Sequence, residues 1–199
     1  EPLAVAVHGV KQMGDVKGMN IAVLGAGPIG NLVAQAAKGM GAAKVMITDV
    51  SDLRLKKAQE CGIDVCVNTK NKDFGEVMVE AFGPDKADVI YDCAGNNITM
   101  GQAIKYARKG SVIVLVAVFA GMAEIDLAVA NDHELDIKST MMYRHDDYVD
   151  GIKLVNEGKV HLRPLISKTF AFKNYLEAYH YIDDNRETTM KVIINVQEK

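Results

Sequence analysis

The feature that most constrains this chain is a glycine-rich turn at residues 25–30, which reads GAGPIG. It directly follows an apolar run, Ile21–Leu24, and directly precedes a segment with helical periodicity. In such a turn Gly25 permits the tight bend, Gly27 lets the backbone approach a pyrophosphate, and Gly30 lets the helix pack against the strand. Pro28 suits the first helical turn, where its missing N–H has no intrahelical partner. The segment therefore predicts a strand–turn–helix unit whose helix N-terminus faces a phosphate.

An acidic residue, Asp49, stands nineteen residues after Gly30, at the end of the next apolar run. Its carboxylate can accept hydrogen bonds from both hydroxyls of an adenine ribose, whereas the 2′-phosphate of NADP would bring two negative groups together. The spacing therefore predicts NAD as the cofactor. The alternative is that the glycines only make a turn and Asp49 only caps a helix. It is disfavoured because strand, turn, helix and acid all fall at the template spacing.

Beyond the turn, short apolar runs alternate with helix-period segments, which is typical of βαβ units in a parallel sheet buried on both faces. This predicts an α/β fold, a doubly wound parallel sheet of the Rossmann type. The predicted strands are Ile21–Leu24, Lys44–Thr48, Asp64–Val67, Ala87–Tyr91, Val112–Phe119 and Leu135–Lys138. The predicted helices are Pro28–Met40 before Gly41, a helix capped by Ser51 that runs to Glu60 before Gly62, and one through Met100–Ala107 before Gly110.

The rhythm changes after about Arg144, with two helix-like segments, Tyr148–Glu157 and Lys173–Asp184, and an apolar run, Val192–Val196. We expect this tail not to be another βαβ repeat. Its apolar side chains are expected to fold back on the domain or to pair with a second copy rather than remain exposed. They are Leu165, Ile166, Phe170, Phe172, Ile193 and Ile194.

Composition and charge exclude several classes of partner. The chain is 49% hydrophobic and 25% charged, and its formal net charge is -3 with Lys and Arg scattered, so no nucleic-acid partner is expected. No apolar run approaches the ~20 residues that cross a bilayer, so no membrane partner is expected. The three cysteines are odd in number and lack CxxC spacing, which favours a reducing, cytoplasmic location.

Four segments carry a resemblance to a known family: EPLAVAVH at residues 1–8, the GAGPIG turn, Thr48-Asp49 with Arg54, and DCAG at residues 92–95. Together they resemble the sorbitol dehydrogenase branch of the zinc-dependent medium-chain dehydrogenases. The resemblance covers essentially all of this chain but only the later part of the family's chain. It implies a parent enzyme that moves a hydride between NAD and a secondary alcohol or polyol. It also implies a hinge helix at the start and a C-terminal segment that returns to an absent catalytic domain. With the boundary placed at the change of rhythm near Arg144, the chain divides into a hinge helix or linker at 1–18, a Rossmann NAD-binding domain at 19–145 and the returning segment at 146–199.

The resemblance also assigns roles to individual residues. It implies that Asp49 and Arg54 hold the adenosine ribose and that Ile29 packs on the cofactor. The backbone after the fifth strand would meet the nicotinamide at Val116, Ala117 and Val118. The family's Phe-Arg-Tyr segment falls on Met141-Met142-Tyr143-Arg144, which makes Arg144 a candidate with an open register. The predicted cofactor-binding set is Gly25, Gly27, Pro28, Ile29, Gly30, Asp49, Arg54, Cys93, Val116, Ala117, Val118 and Arg144. For Cys93, which follows the fourth strand, a small buried thiol is the ordinary alternative.

The family's zinc ligands would lie upstream of residue 1, so we expect zinc in the parent enzyme and no dehydrogenase activity in this chain alone. Glu1 matches a glutamate near the zinc, and its alternative is a terminal residue without a role. Related enzymes pair edge to edge, which implies a homo-oligomer, a dimer or a tetramer. One rival function is a zinc-free quinone reductase of the same superfamily, which is disfavoured because such enzymes usually take NADPH and Asp49 opposes its 2′-phosphate. The other is a non-catalytic NAD- or nucleotide-sensing module, which is disfavoured because such a module has no need for the hinge-helix sequence at residues 1–8.

The five histidines show no paired metal-ligand spacing, so a self-contained metal site is not expected. A cluster of His145, Asp146 and Asp147 follows the sixth predicted strand and invites an acid–base interpretation. A solvated helix start, whose acids are favoured by the helix dipole, is the preferred interpretation.

Overall fold

The structure, a computed structural model, describes residues 1–70 and 72–197. Six parallel strands form one sheet in the order β3-β2-β1-β4-β5-β6, which confirms the predicted α/β, doubly wound fold. They are β1 (Asn20–Leu24), β2 (Lys44–Asp49), β3 (Val65–Asn68), β4 (Val89–Asp92), β5 (Val112–Leu115) and β6 (Asp136–Ser139). The strand order reverses between β1 and β4, so the crevice between their carboxyl ends is where this architecture takes a ligand.

Eight α-helices accompany the strands in the described part of the chain. They are α1 (Pro2–Lys11), α2 (Pro28–Gly39), α3 (Asp52–Glu60), α4 (Phe74–Phe82), α5 (Asn97–Tyr106), α6 (Leu127–Asp132), α7 (His145–Asn156) and α8 (Tyr175–Asp184). Ser51 caps α3 as predicted, since its Oγ accepts from the Arg54 amide at 3.4 Å. Gly41 and Gly62 follow their helices at positive φ, also as predicted. α4 and α6 were not predicted, although Asp73 caps α4 by accepting from the Glu76 amide at 3.0 Å.

The sheet separates two hydrophobic cores, because successive strand residues point to opposite faces. In β1, Ile21 and Val23 enter one core, and Ala22 and Leu24 enter the other. The first core is completed by α1, α2, α3 and α7, and the second by α4, α5 and α6. Both faces of the sheet are therefore covered, which explains why its strands are nearly continuous apolar runs.

The fifth strand is shorter than predicted. It ends at Leu115 instead of Phe119, because the amides of Val116 and Ala117 both donate to the Asp92 carbonyl, at 2.9 and 3.0 Å, and the chain then leaves the sheet. The apolar run continues beyond the strand, and Val116, Ala117 and Val118 line a largely apolar cavity.

The tail contains a strand that was not predicted. The expectation that the tail contains no further βαβ unit is therefore wrong. β7 (Ile166–Ala171) and β8 (Lys191–Asn195) pair in parallel as a separate two-stranded sheet, with α8 between them in the chain. β7 could not be recognised by an apolar run, because most of its residues are exposed and three of them, Ser167, Lys168 and Thr169, are polar. Leu165 folds back onto the first core together with Met190, and Phe170 is buried, as expected. Ile166, Phe172 and Ile193 are exposed, so for these three the expectation is wrong. The division at residue 145 stays a prediction.

The residues His145, Asp146 and Asp147 begin α7, and His145 and Asp146 are exposed as expected for a solvated helix start. Asp147, in contrast, is buried against α1. Its Oδ2 accepts from the Arg144 amide at 2.7 Å and lies 2.8 Å from His8 Nδ1, and its Oδ1 accepts from Lys11 Nζ at 2.8 Å. Burial raises the pKa of this carboxyl, but the hydrogen bonds from Lys11 and from the Arg144 amide outweigh burial and hold the pKa below its ordinary value. Asp147 therefore forms a buried ion pair with Lys11 that connects α7 to α1.

We expect Asp147→Ala to lower the free energy of unfolding at pH 7 by about 3 kcal/mol, because it leaves partly buried donors without their anion. The matched control is Asp150→Ala, which removes a half-exposed carboxylate 2.6 Å from the same Lys11 and is expected to cost less than about 1 kcal/mol. Since the pKa of Asp147 is lowered on folding, its contribution is present above about pH 4 and is lost as the pH falls through the lowered pKa. Urea unfolding at pH 7 and pH 3 measures both effects, and equal losses for the two variants at pH 7 would contradict the assignment.

Among the described residues, no helix combines the length and the apolar character that crossing a bilayer requires.

Candidate dinucleotide site

The glycine-rich turn connects β1 to α2 at the carboxyl edge of the sheet, and its three glycines are needed for three different reasons. Gly25 has a φ of 94°, which residues with a side chain rarely adopt, and a Cβ there would also lie 3.2 Å from the Ala94 amide nitrogen. A Cβ on Gly30 would collide with the Gly25 carbonyl oxygen. A Cβ on Gly27, by contrast, would meet no atom of the described residues within 4 Å. Gly27 therefore borders open space at the N-terminus of α2, where a phosphate group can be bound.

The carboxylate of Asp49 is held in place at the end of β2. Its Oδ2 accepts from the Ala26 amide at 2.7 Å, and its Oδ1 accepts from the Ser51 amide at 2.9 Å. Arg54 Nη1 lies 3.8 Å from Oδ2. Because each carboxylate oxygen can accept about two hydrogen bonds, each keeps one acceptor position beyond its backbone partner. Asp49 is therefore placed to accept from two neighbouring hydroxyl groups of a ligand.

Asp49 opens onto a cavity of about 320 Å³, which we call the Asp49 cavity. It brings together five of the predicted residues, which are Gly25, Gly27, Asp49, Arg54 and Cys93. Its other lining residues are Thr48, Val50, Thr69, Ala94, Asn96, Thr99 and Gln102. The cavity is mixed in character, with a carboxylate and a guanidinium near one another and hydroxyl and amide groups around them. Such a lining suits a ligand that carries both a sugar and a base.

A second cavity of about 350 Å³, which we call the Val116 cavity, is more apolar. It brings together Ile29, Cys93, Val116, Ala117 and Val118, all predicted, with Val5, Ala94, Thr140, Met141 and Met142. Cys93 and Ala94 line both cavities, so the two meet at the turn that follows β4. The arrangement can accept one long ligand with a polar end at Asp49 and a flat apolar end at Val116.

Four predicted residues line neither cavity. Pro28 begins α2, and Gly30 is buried against Gly25. Arg144 is exposed just before α7, where its amide donates to Asp147. Glu1 borders a separate apolar groove between α1 and α7. The roles predicted for Arg144 and Glu1 therefore stay predictions.

The thiol of Cys93 is half-buried between the two cavities. Burial, with a smaller contribution from the charge of Asp92, raises its pKa far above the ordinary value, so it is a neutral thiol at pH 7. Burial also raises the pKa of Cys61 and of Cys66 to about 11. A neutral thiol is a poor nucleophile, and Cys93 therefore acts here as a small lining group.

Sequence reasoning missed several polar lining residues. Thr69 follows β3, and Asn96 caps α5 through the amides of Ile98 and Thr99, at 2.9 and 3.0 Å. The signals for these were local, because Thr69 directly follows a strand of a parallel sheet, where ligands bind, and Asn96 is a residue type that favours the N-cap of a helix. Val5 and Thr140 had no such signal, since α1 and the residues after β6 reach the Val116 cavity only through tertiary packing.

Within residues 1–70 and 72–197, no group of three or more His, Cys, Asp or Glu side chains could hold a metal ion. The described residues therefore do not by themselves fit a zinc site.

The chain is similar to a protein family, to characterised enzymes and to solved structures. The family profile described as zinc-binding dehydrogenase matches residues 28–157. The chain is 31% identical to sorbitol dehydrogenase 1 of Saccharomyces cerevisiae over 98% of this chain and 56% of that protein. Among solved structures, L-idonate 5-dehydrogenase of Escherichia coli superposes with a TM-score of 0.89 at 28% identity, over 98% of this chain and 55% of that one. A short chain alcohol dehydrogenase of Escherichia coli CFT073, solved with the cofactor NADH, gives a TM-score of 0.87 at 28% identity, over 98% and 58%. The chain thus spans about half the length of the relatives it matches.

Proposed function

The chain belongs to the zinc-binding dehydrogenase family, and on that premise we propose that it is the NAD-binding part of an NAD- and zinc-dependent alcohol or polyol dehydrogenase. The observation that carries the proposal is a pair of neighbouring cavities that share Cys93 and Ala94, with the Asp49 carboxylate and the open space at Gly27 in one and apolar side chains in the other. The sorbitol dehydrogenase name of the yeast relative supports a polyol or secondary alcohol as the substrate class.

The residues of the site divide the binding of NAD between them. Asp49 accepts hydrogen bonds from the two adenosine ribose hydroxyls, with Arg54 beside it. The backbone at Gly27 and the N-terminus of α2 bind the pyrophosphate, with no methyl group in the way. The Val116 cavity holds the nicotinamide against apolar side chains and excludes water from one side of the ring. NAD, when bound, supplies the hydride acceptor for oxidation of the alcohol.

Zinc and most of the substrate pocket belong, in this proposal, to the part of the enzyme that this chain does not span. The length of the relatives supports this division, since the chain covers 56% of the yeast sorbitol dehydrogenase. The tail is proposed to pack against that other part. Its α8 carries exposed Tyr175, Leu176 and Tyr179, an apolar surface with which a second domain can pack.

Location and assembly complete the proposal. A reducing, cytoplasmic compartment is supported by free Cys61, Cys66 and Cys93. A homo-oligomer is supported by β6, because it is an edge strand of the sheet and can pair with a second copy.

Titration of the purified chain with NADH, followed by nicotinamide fluorescence, tests this function. We expect saturable binding that NAD and AMP displace, because both cavities proposed to hold the dinucleotide are lined by residues of this chain. We expect no oxidation of sorbitol or of 2,3-butanediol with NAD and added Zn²⁺, because residues 1–70 and 72–197 contain no group of three or more ligands for zinc. A chain that is folded by circular dichroism but does not bind NADH would contradict the cofactor assignment. Turnover by the rigorously purified chain would contradict the division of labour.

A further inference from the structure

Asp92, the last residue of β4, carries a fully buried carboxylate that lines neither cavity. Its Oδ1 accepts from the amides of Ala94 and Gly95, at 3.0 and 3.1 Å, and its Oδ2 accepts from Thr99 Oγ1 at 3.2 Å. Its main-chain carbonyl accepts from the amides of Val116 and Ala117. One buried residue therefore makes five hydrogen bonds to two separate segments of the chain.

Those partners form the walls of the proposed cofactor site. Ala94 lines both cavities, Thr99 lines the Asp49 cavity, and Val116 and Ala117 line the Val116 cavity. The carboxylate thus fixes the Cys93–Gly95 turn, at which the two cavities meet. The carbonyl of the same residue fixes the facing wall of the Val116 cavity.

The turn that Asp92 holds has little space on either side. A Cβ on Gly25 would lie 3.2 Å from Ala94, and a Cβ on Gly95 would lie 2.7 Å from the Cβ of Ala117. The turn is therefore packed between the glycine-rich turn and the wall after β5. A shift of the turn toward either of these neighbours would therefore displace a wall of one of the two cavities.

We propose that Asp92 is a positioning residue, whose buried carboxylate holds the Cys93–Gly95 turn so that the two cavities stay aligned for one dinucleotide. This proposal rests on the proposed function, since it takes NAD as the ligand. Asp92 itself does not touch the cofactor. Its carboxylate acts on the site through the amides of Ala94 and Gly95, and no proton is transferred.

The test compares Asp92→Ala and Asp92→Asn with the unaltered chain in binding NADH and AMP, a ligand without the nicotinamide half. Asp92→Ala is expected to weaken NADH about 30-fold, which corresponds to the loss of two ordering hydrogen bonds, and AMP by less than about threefold. Asp92→Asn keeps an oxygen that can accept from both amides, and it is expected to bind NADH within about threefold of the unaltered chain.

The ratio of NADH to AMP affinity separates positioning from general stability. A merely structural role would weaken both ligands together, or would leave the ratio unchanged while lowering the melting temperature, and either result would overturn the proposal. Should Asp92→Ala fail to fold, Asp92→Ser takes its place. Its side chain is shorter than that of Asp92, so its hydroxyl oxygen cannot occupy the Oδ1 position and is expected to keep one of the two amide hydrogen bonds. A selective loss of about fivefold in NADH affinity is therefore expected, and an unchanged ratio would again overturn the proposal. If the unaltered chain binds AMP and not NADH, the proposed function fails first and independently of Asp92.

Discussion

Gly27→Ala is expected to weaken NADH binding about 100-fold while the chain stays as stable as before, and Gly30→Ala is expected to destabilise the fold itself. Gly27 has a φ of -62° and a ψ of -178°, which alanine adopts without strain, and its added methyl group would meet no atom of the described residues within 4 Å. That methyl group would instead occupy the space through which the pyrophosphate approaches the backbone amides. The charge-assisted hydrogen bonds lost there account for the expected factor.

Gly30 is the matched position, because it lies in the same turn and receives the same added methyl group. There the methyl would collide with the Gly25 carbonyl oxygen and would lie 3.2 Å from Cys93 Cβ, so the helix must move away from the strand. We expect a loss of about 3 kcal/mol in the free energy of unfolding. Thermal melting and NADH titration of both variants measure the two effects separately. Equal melting temperatures for the two variants would contradict this division of roles.

Cofactor choice is expected to depend on Asp49. The unaltered chain should bind NADH at least about 100-fold more tightly than NADPH, because the 2′-phosphate would lie beside a buried carboxylate. Asp49→Ala should weaken NADH by about 1 to 3 kcal/mol through the loss of a charge-assisted pair of hydrogen bonds. It should also narrow the preference against NADPH, since Arg54 remains to attract the phosphate.

Asp52→Ala is the control for the loss of one nearby negative charge. Asp52 is exposed at the start of α3, where its Oδ1 accepts from Asn68 Nδ2 at 2.7 Å, and it does not line the Asp49 cavity. Its removal is expected to change the affinity for either cofactor by less than about threefold, because an exposed charge is screened by solvent. Calorimetric titration with NADH and NADPH measures both variants. Equal affinity of the unaltered chain for the two cofactors would refute the role of Asp49.

The elements that the sequence predicted well are those whose signal is local. The run Ile21–Leu24, the GAGPIG turn and the periodic helix after it each depend on neighbouring residues, and each is present in the structure. Ser51 and Gly41 mark helix ends through their own backbone and side-chain preferences. Alternation of such segments was sufficient to predict the doubly wound sheet, because a helix and a strand that alternate can bury both faces in few ways.

Other features followed only from contacts between distant segments. Asp147 is adjacent in sequence to His145 and Asp146, yet its burial depends on His8 and Lys11 of α1, more than 130 residues earlier. The apolar run after Val112 reads as one long strand, and only the Asp92 carbonyl decides that it ends at Leu115. β7 was hidden because its exposed residues are polar, so its pairing with β8 is not visible in its own sequence.

By itself, then, the sequence determined the strand–turn–helix unit, the acid at position 49 and the class of sheet, since these depend on backbone conformation and on hydrophobic period within a few residues. The tertiary structure alone decided that Val5 and Thr140 line the Val116 cavity and that Asp92 joins the walls of the site. The physical reason is that a cavity is bounded by elements far apart in the chain. Their mutual placement is set by packing, and no short stretch of sequence encodes it.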